Sequence, residues 1–130
     1  INSHMPSYVI QRVQAGLNDR RKAVNGSRIM VLGIAYKKNT NDARETPADP
    51  VVRGLVELGA TVVIHDDHVG AHPLDEIADR VALDQAEVER CDAIVLITDH
   101  DDVDYELVER HAGYVFDSRN RLSGDAIEIL

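Results

Sequence analysis

Along the chain, short unbroken apolar runs alternate with stretches where apolar residues recur every three or four positions. The runs Arg28–Leu32 (RIMVL), Thr61–His65 (TVVIH) and Ala93–Thr98 (AIVLIT) have the pattern of strands covered on both faces, as in a parallel sheet. Val81–Leu83 reads as a short strand and Tyr114–Phe116 as the last one. Val9, Val13, Leu17 and Val24, flanked by Tyr8 and Ile10, make a helical stripe over Ser7–Ala23, stopped by Asn25-Gly26. Val51, Val52, Leu55, Val56 and Leu58 make a second over Pro47–Leu58, closed by Gly59. A helical turn is expected within Leu74–Arg80. Asp84 caps a helix running to Arg90, and Tyr105, Leu107, Val108 and Ala112 predict one that ends near Gly113. Strand alternating with helix implies an α/β fold, a Rossmann-like doubly wound parallel sheet with right-handed crossovers. The first helix has no partner in the minimal fold, so it is expected to pack against something outside this chain.

At 130 residues, 44% hydrophobic and 28% charged, the sequence fits one globular domain with a real core. The net charge of −9 argues against a nucleic-acid surface and makes any anion site local. No apolar run approaches the roughly 20 residues of a membrane span, and no signal peptide opens the chain. A single cysteine allows no disulfide framework and fits a reducing cytosol, so a cytoplasmic location is expected. Residues 1–5 (INSHM) read as a remnant of an expression vector, with Met5 as the start of native sequence.

Against this acidic background the segment after the first strand stands out. From Gly33 to Thr46 it crosses a dozen mostly polar residues, where such connections usually take roughly 2–6, and it carries Lys37, Lys38 and Arg44. Thr46 suits an N-cap and Pro47 the first turn, and the free N–H groups of such a helix start favour a phosphate or carboxylate. In a doubly wound sheet, ligands bind beyond the carboxyl ends of the strands. The basic side chains there are Lys37, Lys38, Arg44 and Arg119. Lys37 and Arg119 read either as a clamp on a phosphorylated ligand or as two solvated cations. Arg44 either contacts a phosphate or pairs with Asp42 or Glu45.

Other clusters carry less. No G-x-G-x-x-G follows the first strand, because Tyr36 and Lys37 fill the space glycines would leave open, so a dinucleotide touches this domain only by its edge. Asp66 resembles a ribose-binding acid but stands 33 positions after Gly33, where about 20 is usual. His65, His68 and His72 with Asp66 and Asp67 suggest a metal, but His65 is expected to point into a sheet face and the others to lie in a flexible loop. Asp99-His100 reads as a helix cap, and Cys91 as a buried small side chain. No nucleophile and base stand together, so the chain reads as a binding domain.

Ala35, Tyr36, Lys37, Asn39, Asp42, Arg44, Glu45, Thr46, Pro47 and Ala48 match the pattern A-[FY]-K-x-N-x-x-D-x-R-E-[ST]-P-A. By this pattern the chain resembles the C-terminal domain of the UDP-glucose/GDP-mannose dehydrogenase family. Pro6, Tyr8 and Val9 match the helix leading into that domain, Thr98-Asp99-His100 a segment after its third strand, and Asp117-Ser118-Arg119-Asn120 its terminal D-x-R-N. Asn41 and Asp67 depart from the family's usual aspartate and proline.

The resemblance implies that residues 6–25 lead in from a missing middle domain and that 26–130 form the nucleotide-sugar-binding domain. It also implies that Lys37, with Tyr36 beside it, contacts a UDP-sugar, Arg119 its uridine diphosphate end, and Arg44 the diphosphate of NAD, which the missing N-terminal domain mainly holds. The parent enzyme would oxidise the sugar C6 alcohol to a carboxylate in two NAD-dependent steps, through a thiohemiacetal on a cysteine absent here, for surface polysaccharide synthesis. It would be a homo-oligomer, and this segment alone would be inactive. Tyr36, N-x-x-D and E-T-P-A are more similar to the dehydrogenases of UDP-N-acetylglucosamine and UDP-N-acetylmannosamine than to the UDP-glucose or GDP-mannose branches. A stand-alone nucleotide-binding or regulatory module and an interaction domain with an acidic working surface remain the alternatives.

Overall fold

The computed structural model describes residues 4–130, so most of the vector remnant read at 1–5 lies outside the described residues. Six parallel strands form one sheet in the order β3-β2-β1-β4-β5-β6. They are β1 (Arg28–Leu32), β2 (Thr61–His65), β3 (Asp79–Arg80), β4 (Ala93–Leu96), β5 (Val115–Asp117) and β6 (Ile127–Ile129). The helices are α1 (Met5–Asp19), α2 (Ala48–Glu57), α3 (Gln85–Arg90) and α4 (Tyr105–His111), with a 3-10 turn at Pro73–Glu76. The expected doubly wound parallel sheet is present. The strand order reverses between β1 and β4, where Leu32 lies opposite Leu96.

Alternate residues of the central strands feed two cores. Ile29, Val31, Ile64 and Val95 face α1 and α2, while Met30, Leu32, Ile94 and Leu96 face α3 and α4. Both faces are therefore covered, which is why β1 and β4 read as continuous apolar runs.

The expectation that the first helix packs outside this chain is overturned. Val9, Val13 and Leu17 on α1 are fully buried in the core shared with α2 and the sheet. A close approach locks the helix in place: a Cβ at Gly16 would stand 2.1 Å from the Tyr114 ring. The Tyr114 hydroxyl donates its one proton to Glu128 Oε1 at 2.7 Å and lies 3.1 Å from Arg12 O. α1 also stops earlier than expected, at Asp19 and not Ala23. Arg21 takes a positive φ of 62°, and the Lys22 N–H reaches back to Leu17 O while Arg21 N–H reaches Asn18 O, a Schellman-type end built without glycine.

Two strand assignments change as well. The short third strand is Asp79–Arg80 and not Val81–Leu83, because Val63 and Ile64 of β2 pair with Asp79 and Arg80. Tyr114–Phe116 overlaps β5, but the last strand is β6, whose Ile127 to Ile129 pair with Val115 to Asp117.

Candidate nucleotide-binding cleft

The segment from Gly33 to Thr46 leaves β1 through a turn that only glycine accommodates. Gly33 has φ +86°, and a Cβ there would lie 2.1 Å from Thr98 O. The next two amides are captured by the buried carboxylate of Asp66, whose Oδ2 accepts from Ile34 N at 2.8 Å and Ala35 N at 3.1 Å. Asp66 Oδ1 accepts from His68 N and Val69 N, and His100 Nε2 stands 3.0 Å from Oδ2. Burial alone would raise the carboxyl's pKa. The hydrogen bonds from His100 and the backbone outweigh it and hold Asp66 below its usual value. Every acceptor position of Asp66 serves the fold, so it has no role on a ribose. On this side of the strand ends the chain's own groups take up the carboxylate. His68 stacks on His100 there, with ring centroids 3.9 Å apart.

Several other expectations are corrected. Asp99-His100 does not cap the following helix; Asp104 does, accepting from Leu107 N. His100 is instead 1% exposed and wedged between two loops. His68 and His72 are not in a free loop. His68 Nε2 lies 2.8 Å from Asp102 Oδ1, and that hydrogen bond raises its pKa above the ordinary value. His72 caps the 3-10 turn and donates from Nε2 to Ala43 O. His65 is buried and donates from Nδ1 to Val81 O. Among the described residues no group of three or more such side chains is arranged to hold a metal ion.

The start of α2 is closed as an anion cradle. Pro47 and Pro50 lack N–H groups, Thr46 Oγ1 accepts from Ala48 N, and Thr46 O accepts from Asp49 N. The N-cap position falls on Pro47 and not on Thr46 as expected; Thr46, one residue earlier, accepts from Ala48 N and so consumes a donor a phosphate would need.

At the other end of the site, Asp117 at the tip of β5 is fully buried and shapes the turn that carries Arg119. Its Oδ1 accepts from Arg119 N at 2.8 Å, and its Oδ2 accepts from Arg121 N and Leu122 N at 2.7 Å each. Asn120 is accommodated at φ 58°. Arg121, which sequence reasoning passed over, is tied to Asp99 and Asp101 and lies over the Tyr105 ring. Arg119 is looser, 3.4 Å from Asp99 and 55% exposed at its side chain.

Lys37 and Arg119 line one cleft of about 370 Å³, together with Tyr36, Lys38, Ser118 and Asp99. Lys38 lies 3.8 Å from Asp101, whereas Lys37 has no side-chain hydrogen bond or ion pair among the described residues. Arg44 faces elsewhere, over a shallow cavity with Tyr36, Asp42 and Glu45. It forms a two-pronged pair with Asp42 while its side chain stays 89% exposed. A larger cavity, about 910 Å³, lies between residues 41–50 and 69–73, is also lined by Arg44, and contains neither Lys37 nor Arg119. Cys91 is buried, hydrogen-bonded to Glu87, with its pKa pushed up to about 12 by burial and the neighbouring carboxylate. That is the opposite of what a nucleophile needs.

This parallel sheet, with Lys37 and Arg119 lining one cleft beyond the ends of β1 and β5, matches a known family. The model of the UDP binding domain of the UDP-glucose/GDP-mannose dehydrogenase family matches residues 30–124. The chain belongs to this family. It is 33% identical over 132 aligned positions to UDP-N-acetyl-D-mannosamine dehydrogenase of Methanococcus maripaludis, covering 94% of this chain and 29% of that protein. Two solved structures superpose over nearly the whole chain. The NDP-N-acetyl-D-galactosaminuronic acid dehydrogenase of Methanosarcina mazei Go1 has a TM-score of 0.82 at 25% identity, covering 99% of this chain and 29% of that one. A UDP-glucose dehydrogenase of Pyrobaculum islandicum has a TM-score of 0.80 at 29% identity, covering 98% and 29%. The chain therefore spans under a third of these relatives, and it is a UDP-binding domain close to the UDP-N-acetylmannosamine dehydrogenases. Among the described residues no helix is long and apolar enough to cross a membrane.

Proposed function

We propose that the cleft between the β1–α2 segment and the β5–β6 turn binds the diphosphate of a UDP-sugar, as part of a larger NAD-dependent nucleotide-sugar 6-dehydrogenase. One observation carries this reading: Lys37 projects without a partner among the described residues into the cleft that Arg119 also lines, in a chain of net charge −9. An ammonium with no carboxylate partner among the described residues offers an incoming anion an attraction that the fold does not already use. Lys37 then serves as a point charge on the phosphates, and Arg119 adds directional donors after giving up its weak contact with Asp99. Tyr36, 46% exposed, offers a ring face beside them.

Arg44 fits a second, edge-on contact to the diphosphate of NAD. Asp42 occupies two of its donor nitrogens and leaves further N–H groups pointing to solvent. The remainder of NAD would be held by the larger part of the enzyme, because no G-x-G-x-x-G follows β1 here. NAD held there would supply the hydride acceptor for the two-step oxidation of the C6 alcohol of a UDP-N-acetylhexosamine to its carboxylate, in the cytoplasm, for surface polysaccharide synthesis. This chain contributes binding and orientation. The branch assignment rests on the E-T-P-A motif and the similarity to UDP-N-acetylmannosamine dehydrogenases.

Calorimetric titration of the chain with UDP, GDP and NAD tests the reading. UDP is expected to bind more tightly than GDP, with affinity falling as salt rises. Lys37→Ala and Arg119→Ala should each weaken UDP by roughly tenfold or more, the scale of a charge-assisted hydrogen bond, while the thermal transition stays in place. Equal affinity of wild type and both variants for UDP would remove the cleft from consideration.

A further inference from the structure

Lys37 is aimed by its backbone alone, and one buried side chain fixes that backbone. Two residues on, the Asn39 N–H donates to His100 Nδ1 at 2.8 Å. An amide N–H can only donate, so Nδ1 holds the lone pair and the ring proton sits on Nε2, where it is given to Asp66 Oδ2. His100 thus runs a directional relay from the β1–α2 segment, through the end of β4, to the carboxylate that also binds Ile34 and Ala35 at the start of the same segment. Asn39 adopts φ 63°, a conformation that needs holding. Its side-chain amide binds Asp101 in both directions, but those bonds are exposed to water. The bond to His100 is the shielded one, and in a low-dielectric setting it is the stronger constraint.

We propose that His100 is a positioning residue for nucleotide-sugar binding, setting the aim of Lys37 by accepting the Asn39 amide proton. The proposal rests on the reading of Lys37 as a diphosphate ligand. His100 touches no ligand itself and lies behind the cleft.

Two substitutions separate its two bonds. His100→Asn places an amide oxygen where Nδ1 was, keeping the acceptor for Asn39 and losing the donor to Asp66. His100→Gln places an amide nitrogen where Nε2 was, keeping the donor to Asp66 and losing the acceptor. The experiment measures UDP affinity by calorimetry, thermal midpoint, and hydrogen exchange of the Asn39 amide. His100→Gln should speed exchange at Asn39 and weaken UDP about three- to tenfold. His100→Asn should keep the affinity even where it lowers the midpoint as much. In a Lys37→Ala background, His100→Gln should cause no further loss. A merely structural histidine would instead give affinities that follow the thermal midpoint, and that result overturns the proposal. So does unchanged Asn39 exchange in His100→Gln, or unchanged UDP affinity when Lys37→Ala alone weakens binding. If Lys37→Ala itself leaves affinity unchanged, the binding reading fails and this inference falls with it.

Discussion

Arg44 grips Asp42 with two nitrogens, Nε 3.0 Å from Oδ1 and Nη2 2.9 Å from Oδ2. The two are separated by one residue, and the Arg44 backbone N–H adds a third bond to the same carboxylate. A guanidinium expected to reach for a cofactor phosphate is thus pre-oriented by a local acid.

That pairing has a pH signature. The side-chain hydrogen bonds from Arg44, then its backbone N–H, hold the Asp42 carboxyl at about 2, below its ordinary 3.8. A depressed folded value means that the pair's stabilisation is present above the ordinary value and is lost as pH falls from about 4 toward about 2. Both groups face solvent, so the effect on global stability is small. The carboxyl carbon of Asp42, followed by NMR, should titrate near 2 in the wild type and move toward 3.8 in Arg44→Ala. An identical midpoint in the two proteins would falsify the pairing.

Gly33→Ala should be strongly destabilising. The substitution meets both a positive φ of +86° and a backbone oxygen 2.1 Å from the new Cβ. Neither obstacle can swing aside as a flexible side chain would, so a loss on the order of 3 kcal/mol is expected. The urea midpoint of unfolding measures it, and a change under about 0.5 kcal/mol, the scale of neutral surface substitutions, would contradict the geometry.

Deleting residues 1–20 should abolish cooperative folding. Val9, Val13 and Leu17 are fully buried against the sheet, and three such side chains contribute roughly 5–9 kcal/mol. That is comparable to the whole stability of about 5–15 kcal/mol of a small domain. Differential scanning calorimetry should show no sharp transition for the shortened chain; a retained transition near the wild-type temperature would mean that α1 is only an appendage.

Cys91 should resist alkylation. Burial first, then the Glu87 hydrogen bond, pushes its thiol up from 9.0 to about 12, so almost none is thiolate at pH 8. Iodoacetamide is expected to leave the native protein unmodified for hours and to label it at once in denaturant. The raised folded value also means that this group favours the folded state fully below pH 9, an advantage lost as pH rises from about 9 to about 12. Rapid native labelling would show that the Glu87–Cys91 contact opens.

The local signals reported strands and helices well because they depend on neighbours along the chain. The apolar runs of β1, β2 and β4 announced a sheet covered on both faces. The stripe in α2 and the cap at Asp84 lie within a few residues of what they organise, whereas α4 is capped by Asp104 and not by Asp99-His100. The match from Ala35 to Ala48, with D-S-R-N at Asp117 to Asn120, was enough to place the family. The sequence alone also selected Lys37 and Arg119 as cations at strand tips.

Other features depended on partners distant in sequence. α1 finds its partner in Tyr114, far along the chain, whose ring closes on Gly16. β6 is three residues long with a half-exposed pattern, and only pairing with β5 makes it a strand. Asp66 and His100 read as a ribose acid and a cap because their bonds to Ile34, Ala35, Asn39 and each other all span more than thirty positions, and only those to His68 and Val69 are local. Residue types state which hydrogen bonds and charges a chain can offer. Which of those are consumed inside the fold, as at Asp66, and which stay unpaired among the described residues, as at Lys37, is decided by the packing of strand ends, because only there do groups remote in sequence compete for the same partners.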